Sequence, residues 1–400
     1  MKALLTLPCI VCFALTARTR TTTTTTLSLL SLLSVALVLA PTLATHGSYE
    51  FVKPKEVMEA KRSTNYGLVK NRNPPQPLVR SPLPSSYTKK QDLPTHFDWR
   101  NVDGVNYITA SVNQHIPKYC GSCWIHGTAA AINDRIKVMR KGAFPDVQVS
   151  RQNLVNCVPV DDSEGTGETG GCMGGDPKNI LSWMTQNKVP DETCQTYVAE
   201  NMECKPYNVC HNCEPDHGTC FPIYYGYYTG YGIDEWGNVS GEEEMMAEIF
   251  SRGPIVCSIA AVPDFDDGYP ANIAKHEGIY INSTDLSDDE VNHNVEILGW
   301  GETQSGTKYW IGRNSWGTYW GEGGFFRIGR GDGKAKNLRI EADCQWMIPE
   351  WEDLDEMLDG DFSGDYNHGL LPTEDGKRYS NRPVPSHKKE GEKAQVVELA

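Results

Sequence analysis

Cysteine content limits what this chain can fold into more than any other feature. The chain has 13 cysteines, of which Cys9 and Cys12 lie in an N-terminal segment that we expect to be removed. The other 11 (13 − 2) lie between residues 120 and 344. In an exported protein, an odd number of cysteines indicates paired disulfides and one free thiol. We therefore predict a fold with five disulfides and one cysteine that is available for chemistry.

Residues 1–44 have the layout of a secretory signal peptide. Basic residues and a threonine run precede an apolar run over 27–40, and small residues follow before a plausible cleavage site. The apolar run has 14 residues (40 − 27 + 1), whereas a membrane-spanning helix, the alternative interpretation, needs ~20. We therefore predict export to a lysosome, a vacuole or the extracellular space, without stable membrane insertion. Sequons at Asn238 and Asn282 fit a glycosylated exported surface.

The composition changes twice along the rest of the chain. Residues 45–92 are polar, rich in proline and free of cysteine, so they are interpreted as a short pro-segment or a linker. Residues 93–348 carry glycine and tryptophan throughout and are expected to form the compact domain. Residues 349–400 form an acidic tail: from residue 345 onward, 13 acidic residues outnumber 6 basic ones, which is −7 of the total charge of −15. Such a tail buries too little apolar surface to fold.

Two kinds of secondary structure can be predicted with their positions. Apolar residues spaced three and four apart predict a helix over 123–140, with basic residues and a glycine at its end. The runs over 295–301 and 308–317 are typical of short strands interrupted by glycine. Residues 193–220 contain five cysteines and are expected to form a loop-rich, cross-linked insertion. Early helices and late strands predict an α+β fold in two halves.

The stretch NQHIPKYCGSCWIHG contains a CxxC motif made of Cys120 and Cys123. Such a motif is a redox pair, half of a metal site, or one disulfide-bonded cysteine beside one reactive cysteine. A helix that begins at Cys123 would place its thiol at the positive end of the helix dipole and favour the thiolate. Downstream, His293 offers an imidazole base and Asn314 a group to orient it. Gln114 offers a side-chain donor for an oxyanion.

The order NQ…CGSCW, NH…GWG and RNSWG resembles the papain-like cysteine peptidases over residues 93 to 344. The resemblance implies a two-lobed α+β fold, with a helical left lobe, a β-barrel-like right lobe and the active-site cleft between them. It implies no metal and no cofactor. It also implies that Cys123 is the nucleophile, His293 the acid and base, Asn314 the residue that orients the imidazole, and Gln114 the oxyanion donor.

The same resemblance assigns the residues that would contact substrate. These are the glycine pair Gly174 and Gly175, which would bind the substrate backbone, together with Trp316, which would shield the His–Asn hydrogen bond, and with Tyr119 and His115. Gln114 precedes Cys123 by nine positions (123 − 114), three more than is usual in the family, because His115-Ile116-Pro117 is inserted. This insertion resembles the mini-loop of a carboxypeptidase branch, in which the histidine binds the terminal carboxylate of the substrate.

The expected activity is therefore the removal of single C-terminal residues from peptides and proteins. A histidine beyond the scissile bond would pair with a carboxylate and leave little room for more chain. We expect the substrate partners to be peptides and proteins with free C-termini, the chain's own pro-segment to act as inhibitor, and the enzyme to be a monomer. No basic, aromatic-interleaved pattern suggests nucleic acid as a partner.

The resemblance implies a disulfide pattern and also has two departures. The implied pairs are Cys120–Cys172, Cys157–Cys204, Cys194–Cys210, Cys213–Cys220 and Cys257–Cys344. The first departure is that residues 45–92 lack the cysteine that caps the active-site thiol in the carboxypeptidase branch. The second is that Asn294 and Glu296 follow His293 at positions where the family usually has small or apolar residues.

Several alternatives stay open from the sequence. Cys120 and Cys123 could form a redox pair, and Cys210-His-Asn-Cys213 could be half of a zinc site. His126 is interpreted as a packed polar residue of the predicted helix. Two alternative functions are an endopeptidase with a displaced mini-loop and a catalytically idle adhesion protein that uses Arg330-Gly331-Asp332, a tripeptide that also occurs by chance.

Overall fold

The computed structural model describes residues 66–160, 169–331 and 337–351. The predicted signal peptide lies outside these ranges, as do the first part of the predicted pro-segment and the tail from residue 352. Among the residues described, no helix is both long and apolar enough to cross a lipid bilayer.

The described residues form seven α-helices, of which the first carries most of the architecture. α1 begins at Cys123, as predicted, and ends at Met139, one residue earlier than predicted. Its residues from Cys123 to Lys137 are all buried, so this helix lies inside the molecule rather than on it. The other helices are α2 (Arg151–Cys157), α3 (Pro177–Met184), α4 (Pro206–Val209), α5 (Glu242–Arg252), α6 (Pro263–Asp266) and α7 (Tyr269–Ile273).

The strands divide into one large antiparallel sheet and one small hairpin. They are β1 (Phe97–Asp98), β2 (His211–Cys213), β3 (Cys220–Pro222), β4 (Tyr231–Val239), β5 (Ile255–Ile259), β6 (His293–Glu302), β7 (Lys308–Arg313), β8 (Phe325–Gly329) and β9 (Cys344–Trp351). The large sheet has the order β4-β9-β5-β6-β7-β8, and β1 pairs with β6. Strands β2 and β3 pair only with each other. The mixture of helices and an antiparallel sheet confirms the α+β fold.

Two predicted boundaries differ from the structure. The run over 308–317 is a strand only as far as Arg313, because the chain then leaves the sheet as a loop. The predicted domain boundary at residue 348 is three residues too early (351 − 348), since β9 continues to Trp351 and pairs with β4 there. Residues 349–351 therefore belong to the sheet and not to a disordered tail.

Two hydrophobic cores lie on either side of the sheet's central strands. One is built around α1 and includes Trp124 and Ile132, together with Trp236 of β4. The other is built from the strands and includes Trp300 and Phe326. Each core contains several fully buried large side chains, and each such side chain contributes about 1.5–3 kcal/mol when it leaves water.

Five disulfides cross-link the chain, and their pairing is the one that the resemblance implies. Three of them fasten the loop-rich insertion over 193–220, whose only regular structure is α4 and the β2–β3 hairpin. A further disulfide joins β5 to β9 at residues that are paired in the sheet. The five pairs are Cys120–Cys172, Cys157–Cys204, Cys194–Cys210, Cys213–Cys220 and Cys257–Cys344.

Candidate active site

Cys123 is the one free cysteine of the described residues, and it opens helix α1. Its side chain is fully buried. The backbone N–H of Asn294, the second residue of β6, donates a hydrogen bond to the thiol. Cys120 is disulfide-bonded to Cys172, so the CxxC motif is one bonded cysteine beside one free thiol and not a redox pair. The free thiol is thus fixed between α1 and β6.

His293 and Asn314 are brought together by neighbouring strands. His293 is the first residue of β6, and Asn314 directly follows the last residue of β7. The Nε2 atom of His293 lies 2.9 Å from Oδ1 of Asn314. Because an amide oxygen only accepts, this contact assigns the proton to Nε2. The other ring nitrogen, Nδ1, has no hydrogen-bond partner among the described residues and is left to accept a proton.

Trp316 covers this pair. Its ring stacks on the imidazole of His293, with the ring centroids 4.8 Å apart. Trp316 is itself buried, and so are His293 and Asn314. A hydrogen bond that is shielded from water in this way is electrostatically stronger than an exposed one.

Burial sets the protonation of both reactive groups. It raises the pKa of the Cys123 thiol to about 12. It also lowers the pKa of His293 to about 3, against the opposing effect of the hydrogen bond to Asn314. In the covered site burial thus opposes the thiolate that the helix dipole was expected to favour, and it favours the neutral forms of thiol and imidazole.

Gln114 has its side-chain amide fixed at both ends. Its Oε1 accepts a 2.7 Å hydrogen bond from Oγ of Ser315, the residue after Asn314. Its Nε2 donates to the carbonyl oxygen of Cys120 at 3.0 Å and lies 3.5 Å from the carbonyl oxygen of Tyr66. The amide is fully buried. The Nε2 group of Gln114 is thus directed in part at the carbonyl oxygen of Tyr66, which lies over the site.

His115 lies in the predicted mini-loop, where its ring and its backbone are each held by a neighbouring residue. The ring of His115 is stacked on that of Tyr119, and its backbone N–H donates to Oδ1 of Asn113 at 2.9 Å. Positive charge on His115 is the last of the effects on the pKa of His293, after burial and the hydrogen bond to Asn314, and it lowers that pKa. Burial lowers the pKa of His115 itself to about 4. Its Nδ1 is buried and has no hydrogen-bond partner in the described residues.

The predicted pro-segment runs through the site. Both backbone groups of Gly175 are bound by it: the N–H donates to the carbonyl of Gly67, and the carbonyl accepts from the N–H of Val69, each at 3.0 Å. Gly175 must be glycine, because a Cβ there would lie 2.8 Å from the ring of Trp124. Its neighbour Gly174 has φ +110° and contacts the same segment. The glycine pair is thus already occupied by backbone of the chain itself.

Tyr66 is the part of this segment that lies over the catalytic pair. Its ring is 5.6 Å from that of His293 and 5.5 Å from that of Trp316. Its hydroxyl donates to Oδ2 of Asp266 at 3.1 Å. Sequence reasoning missed Tyr66, because it lies in a polar segment with no motif and contacts residues 200 or more positions away. Only the fold brings it to the site.

The other predicted sites differ in accessibility. Asn238 is exposed on β4 and can carry a glycan. Asn282 is only 3 % exposed, and its amide donates to the carbonyl of Thr284, so the folded structure offers no room for a glycan there. Cys210 and Cys213 are both in disulfides, which removes the zinc alternative. His126 is buried among packed side chains, as its interpretation required.

Comparisons with known proteins agree with this geometry. A family model described as papain family cysteine protease matches residues 93–346. Cathepsin Z of Onchocerca volvulus is 42% identical over 263 residues, which are 64% of this chain and 78% of that protein. The gut-specific cysteine proteinase of Caenorhabditis elegans is 34% identical over 226 residues, which are 53% of this chain and 62% of that protein.

Solved structures support the fold. The proCathepsin B S9 from Trypanosoma congolense matches with a TM-score of 0.52 at 23% identity, covering 73% of this chain and 88% of that one. The digestive procathepsin L 3 of Tenebrio molitor larval midgut matches with a TM-score of 0.51 at 22% identity, covering 71% of this chain and 76% of that one. At these identities the likeness concerns the fold alone.

Proposed function

The chain belongs to the papain family of cysteine proteases, and from this premise we propose that it is a cysteine-type carboxypeptidase. It would remove single C-terminal residues from peptides and proteins, as the resemblance to the cathepsin X (cathepsin Z) branch implies. The observation that carries the proposal is the position of His115. The three-residue insertion holds a half-buried imidazole whose Nδ1 is buried and has no hydrogen-bond partner among the described residues, and whose positive charge lowers the pKa of His293.

The proposed reaction uses four residues in turn. Cys123 gives its proton to Nδ1 of His293 and attacks the last peptide carbonyl, while Gln114 donates to the developing oxyanion. Asn314 holds the imidazolium through Nε2. The imidazolium then protonates the leaving amine, so the C-terminal amino acid departs and an acyl-enzyme remains. Water, activated by the same imidazole, hydrolyses the acyl-enzyme and restores the thiol.

Substrate orientation follows from His115 and the glycine pair. A carboxylate bound by the His115 imidazole would mark the end of the cleft. The backbone on the other side of the scissile bond would take the hydrogen bonds of Gly174 and Gly175. Tyr119, stacked on His115, and Trp316, over His293, would line the same cleft.

The segment Tyr66–Val69 is proposed to be the inhibitory part of the pro-segment. It holds the Gly175 hydrogen bonds that a substrate would need, and it lies over His293. No covalent cap is required for this, since Cys123 is a free thiol beneath it. The proposal also includes a signal peptide over residues 1–44, transport by the secretory route and a glycan at Asn238. Residues 1–44 lie outside the described residues.

An endopeptidase is the second candidate, because Ile116 of the mini-loop is 61 % exposed, so this part of the loop is not fixed by burial in the fold. The adhesion alternative is opposed by a specific contact. The side chain of Arg330 is 4 % exposed and forms an ion pair with Glu242, so the arginine of the Arg-Gly-Asp tripeptide is not available to a partner.

A matched-pair assay tests the proposal on the protein freed of residues 1–92. One peptide ends in a free carboxylate and its twin is amidated, and both are followed by mass spectrometry under reducing conditions. Loss of one residue from the free acid alone is the expected result. Internal cleavage of both peptides would support the endopeptidase instead. Failure to cleave either peptide would contradict both assignments.

A further inference from the structure

Arg313 joins the three elements that carry the proposed catalytic residues. Its Nε donates to Oε2 of Glu296 on β6, and its Nη2 donates to Oδ2 of Asp134 on α1, each at 2.7 Å. Its Nη1 donates to the carbonyl oxygen of Thr109 at 2.6 Å. Arg313 is the last residue of β7, directly before Asn314. One guanidinium thus ties the nucleophile helix to both strands that position the histidine and the asparagine.

The cluster of Arg313, Asp134 and Glu296 has two carboxyl groups but only one guanidinium group. The side chains of Asp134 and Glu296 are fully buried, and that of Arg313 is 3 % exposed. An uncompensated charge at this depth would cost several kcal/mol. Further cations nearby form ion pairs outside the cluster. Arg135 on α1 shares Glu248 of α5 with Arg252, and Arg151 of α2 is paired with Glu192.

The remaining neighbours of β6 supply no balancing charge. Strand β5 faces Glu296 with Val256, and strand β1 carries Asp98, which is paired with Arg100 far from the cluster. The nearby His126 of α1 is kept neutral, because burial and the charge of Arg151 lower its pKa well below the usual range. None of these groups bonds to Asp134 or Glu296 directly, so a proton on one of the two carboxyl groups is the change that removes the excess charge within the cluster itself.

The hydrogen bonds indicate where that proton lies. Both oxygens of Asp134 are already used: Oδ1 accepts from the backbone N–H and the hydroxyl of Thr109, and Oδ2 accepts from Arg313. Oε1 of Glu296 is buried and has no donor among the described residues. The two carboxyl groups contact each other. Two ionised carboxylates only accept, so a proton on one of them is needed to make this contact a hydrogen bond.

We propose that Glu296 is a neutral carboxylic acid that donates its proton to Asp134, and that this proton locks α1, β6 and β7 in register for catalysis. Glu296 is then a positioning residue, since it acts through Arg313 and touches no substrate. The inference rests on the papain-family chemistry and is independent of the C-terminal preference.

The sign of the pH dependence follows from the buried position. Burial, together with the charge of Asp134, raises the pKa of Glu296 well above its usual range, although Arg313 opposes this. A group whose pKa is higher in the folded state than in the unfolded state stabilises the fold at low pH. That contribution is lost as the pH rises through the folded-state pKa. The arrangement of α1, β6 and β7 should accordingly be stable at acidic pH and lose stability at alkaline pH.

The test compares the parent with Glu296→Gln, whose amide can donate to Asp134 and accept from Arg313 without titrating. The free energy of unfolding is measured against pH by urea and tryptophan fluorescence, with the thiol reversibly blocked to prevent self-digestion. We expect the parent to lose stability as the pH rises from the ordinary pKa of a glutamate to the raised folded-state pKa, and the variant to lose markedly less. Within that window the unfolding equilibria of the two should diverge by about tenfold for each pH unit, and above the folded-state pKa the difference should become constant. Glu302→Gln, on the exposed end of the same strand, is the matched control and should follow the parent.

An infrared measurement keeps the proposal testable should Glu296→Gln fail to fold. The parent at neutral pH should show a protonated-carboxyl band, since exposed carboxyls are ionised there. Asp134→Asn should abolish it, because Glu296 then ionises against Arg313. Absence of the band in the parent would overturn the proposal. Identical pH profiles for the parent and Glu296→Gln would also overturn it.

Discussion

The imidazole of His115 and the phenol ring of Tyr119 lie in parallel planes, 6° apart, with their centroids separated by 4.7 Å. The backbone of His115 is held separately, by Asn113. A stacked ring has its χ angles fixed, so Tyr119 orients the imidazole before any substrate arrives. Pre-orientation of this kind reduces the entropy lost on binding and favours one direction of hydrogen bonding.

The first prediction concerns the selection of a free C-terminus. His115→Ala should lower the ratio of kcat/KM for a free-acid peptide over its amide by about 10- to 100-fold, because a charged hydrogen bond contributes about 1.5–3 kcal/mol. Tyr119→Ala should lower the same ratio less, and Tyr119→Phe, which keeps the stacking, should leave it unchanged. Equal ratios in the parent and His115→Ala would remove His115 from the specificity site.

The second prediction is a pH dependence of KM. The pKa of His115 is lowered to about 4 in the absence of substrate, and a carboxylate beside the ring raises it. Binding of a free acid therefore takes up a proton, and KM for the free acid should rise with pH between the pKa of free His115 and its higher pKa in the complex, and level off above the latter. The amide should show no such trend, since it brings no charge. A KM for the free acid that is independent of pH would show that His115 binds as a neutral donor.

The third prediction compares the precursor with the protein freed of residues 1–92. In the covered site the pKa of Cys123 is raised to about 12 and that of His293 is lowered to about 3 by burial. Removal of the segment readmits water, so the thiol pKa should fall and the imidazole pKa should rise. Alkylation of Cys123 by iodoacetamide at neutral pH should be slow in the precursor and at least about tenfold faster in the shortened protein.

Cys123→Ser is the control for this measurement. It should lose both the alkylation and the peptide hydrolysis, the latter by several orders of magnitude. Appreciable turnover by Cys123→Ser would mean that another group is the nucleophile.

The sequence indicated those residues of the candidate site that lie in a local motif. Cys123 at the start of a helix, and His293 and Asn314 beside Gly-Trp-Gly and Ser-Trp-Gly runs, could be found because each motif lies in one short stretch. The pairing of Arg313 with Asp134 could not be predicted from the sequence, since the two residues are 179 positions apart. The burial that raises the pKa of the Cys123 thiol in the covered site could not be predicted either, because it comes from residues distant in the sequence.

The fourth prediction concerns Arg313, whose buried pairs join distant parts of the chain. Arg313→Ala leaves two buried carboxyls without a cation and should destabilise the protein by about 3–5 kcal/mol. Arg313→Lys keeps the charge but provides no planar fork for two carboxylates, so its stability should be intermediate. Urea unfolding at mildly acidic pH measures both variants. A loss within about 0.5 kcal/mol, typical of surface changes, would show that the cluster does not stabilise the fold.

The last prediction uses the close contact between the inhibitory segment and the start of α1. Gly67 has φ +112°, and a Cβ there would lie 2.1 Å from the carbonyl oxygen of Gly121. Gly67→Ala should therefore lift the segment from the cleft, break its hydrogen bonds to Gly175 and expose Cys123. The precursor that carries this change should be alkylated faster than the unmodified precursor. Ser85→Ala is the control, because Ser85 is an exposed position of the predicted pro-segment that lies outside Tyr66–Val69. Equal rates for Gly67→Ala and the control would mean that Tyr66–Val69 is not what covers the thiol.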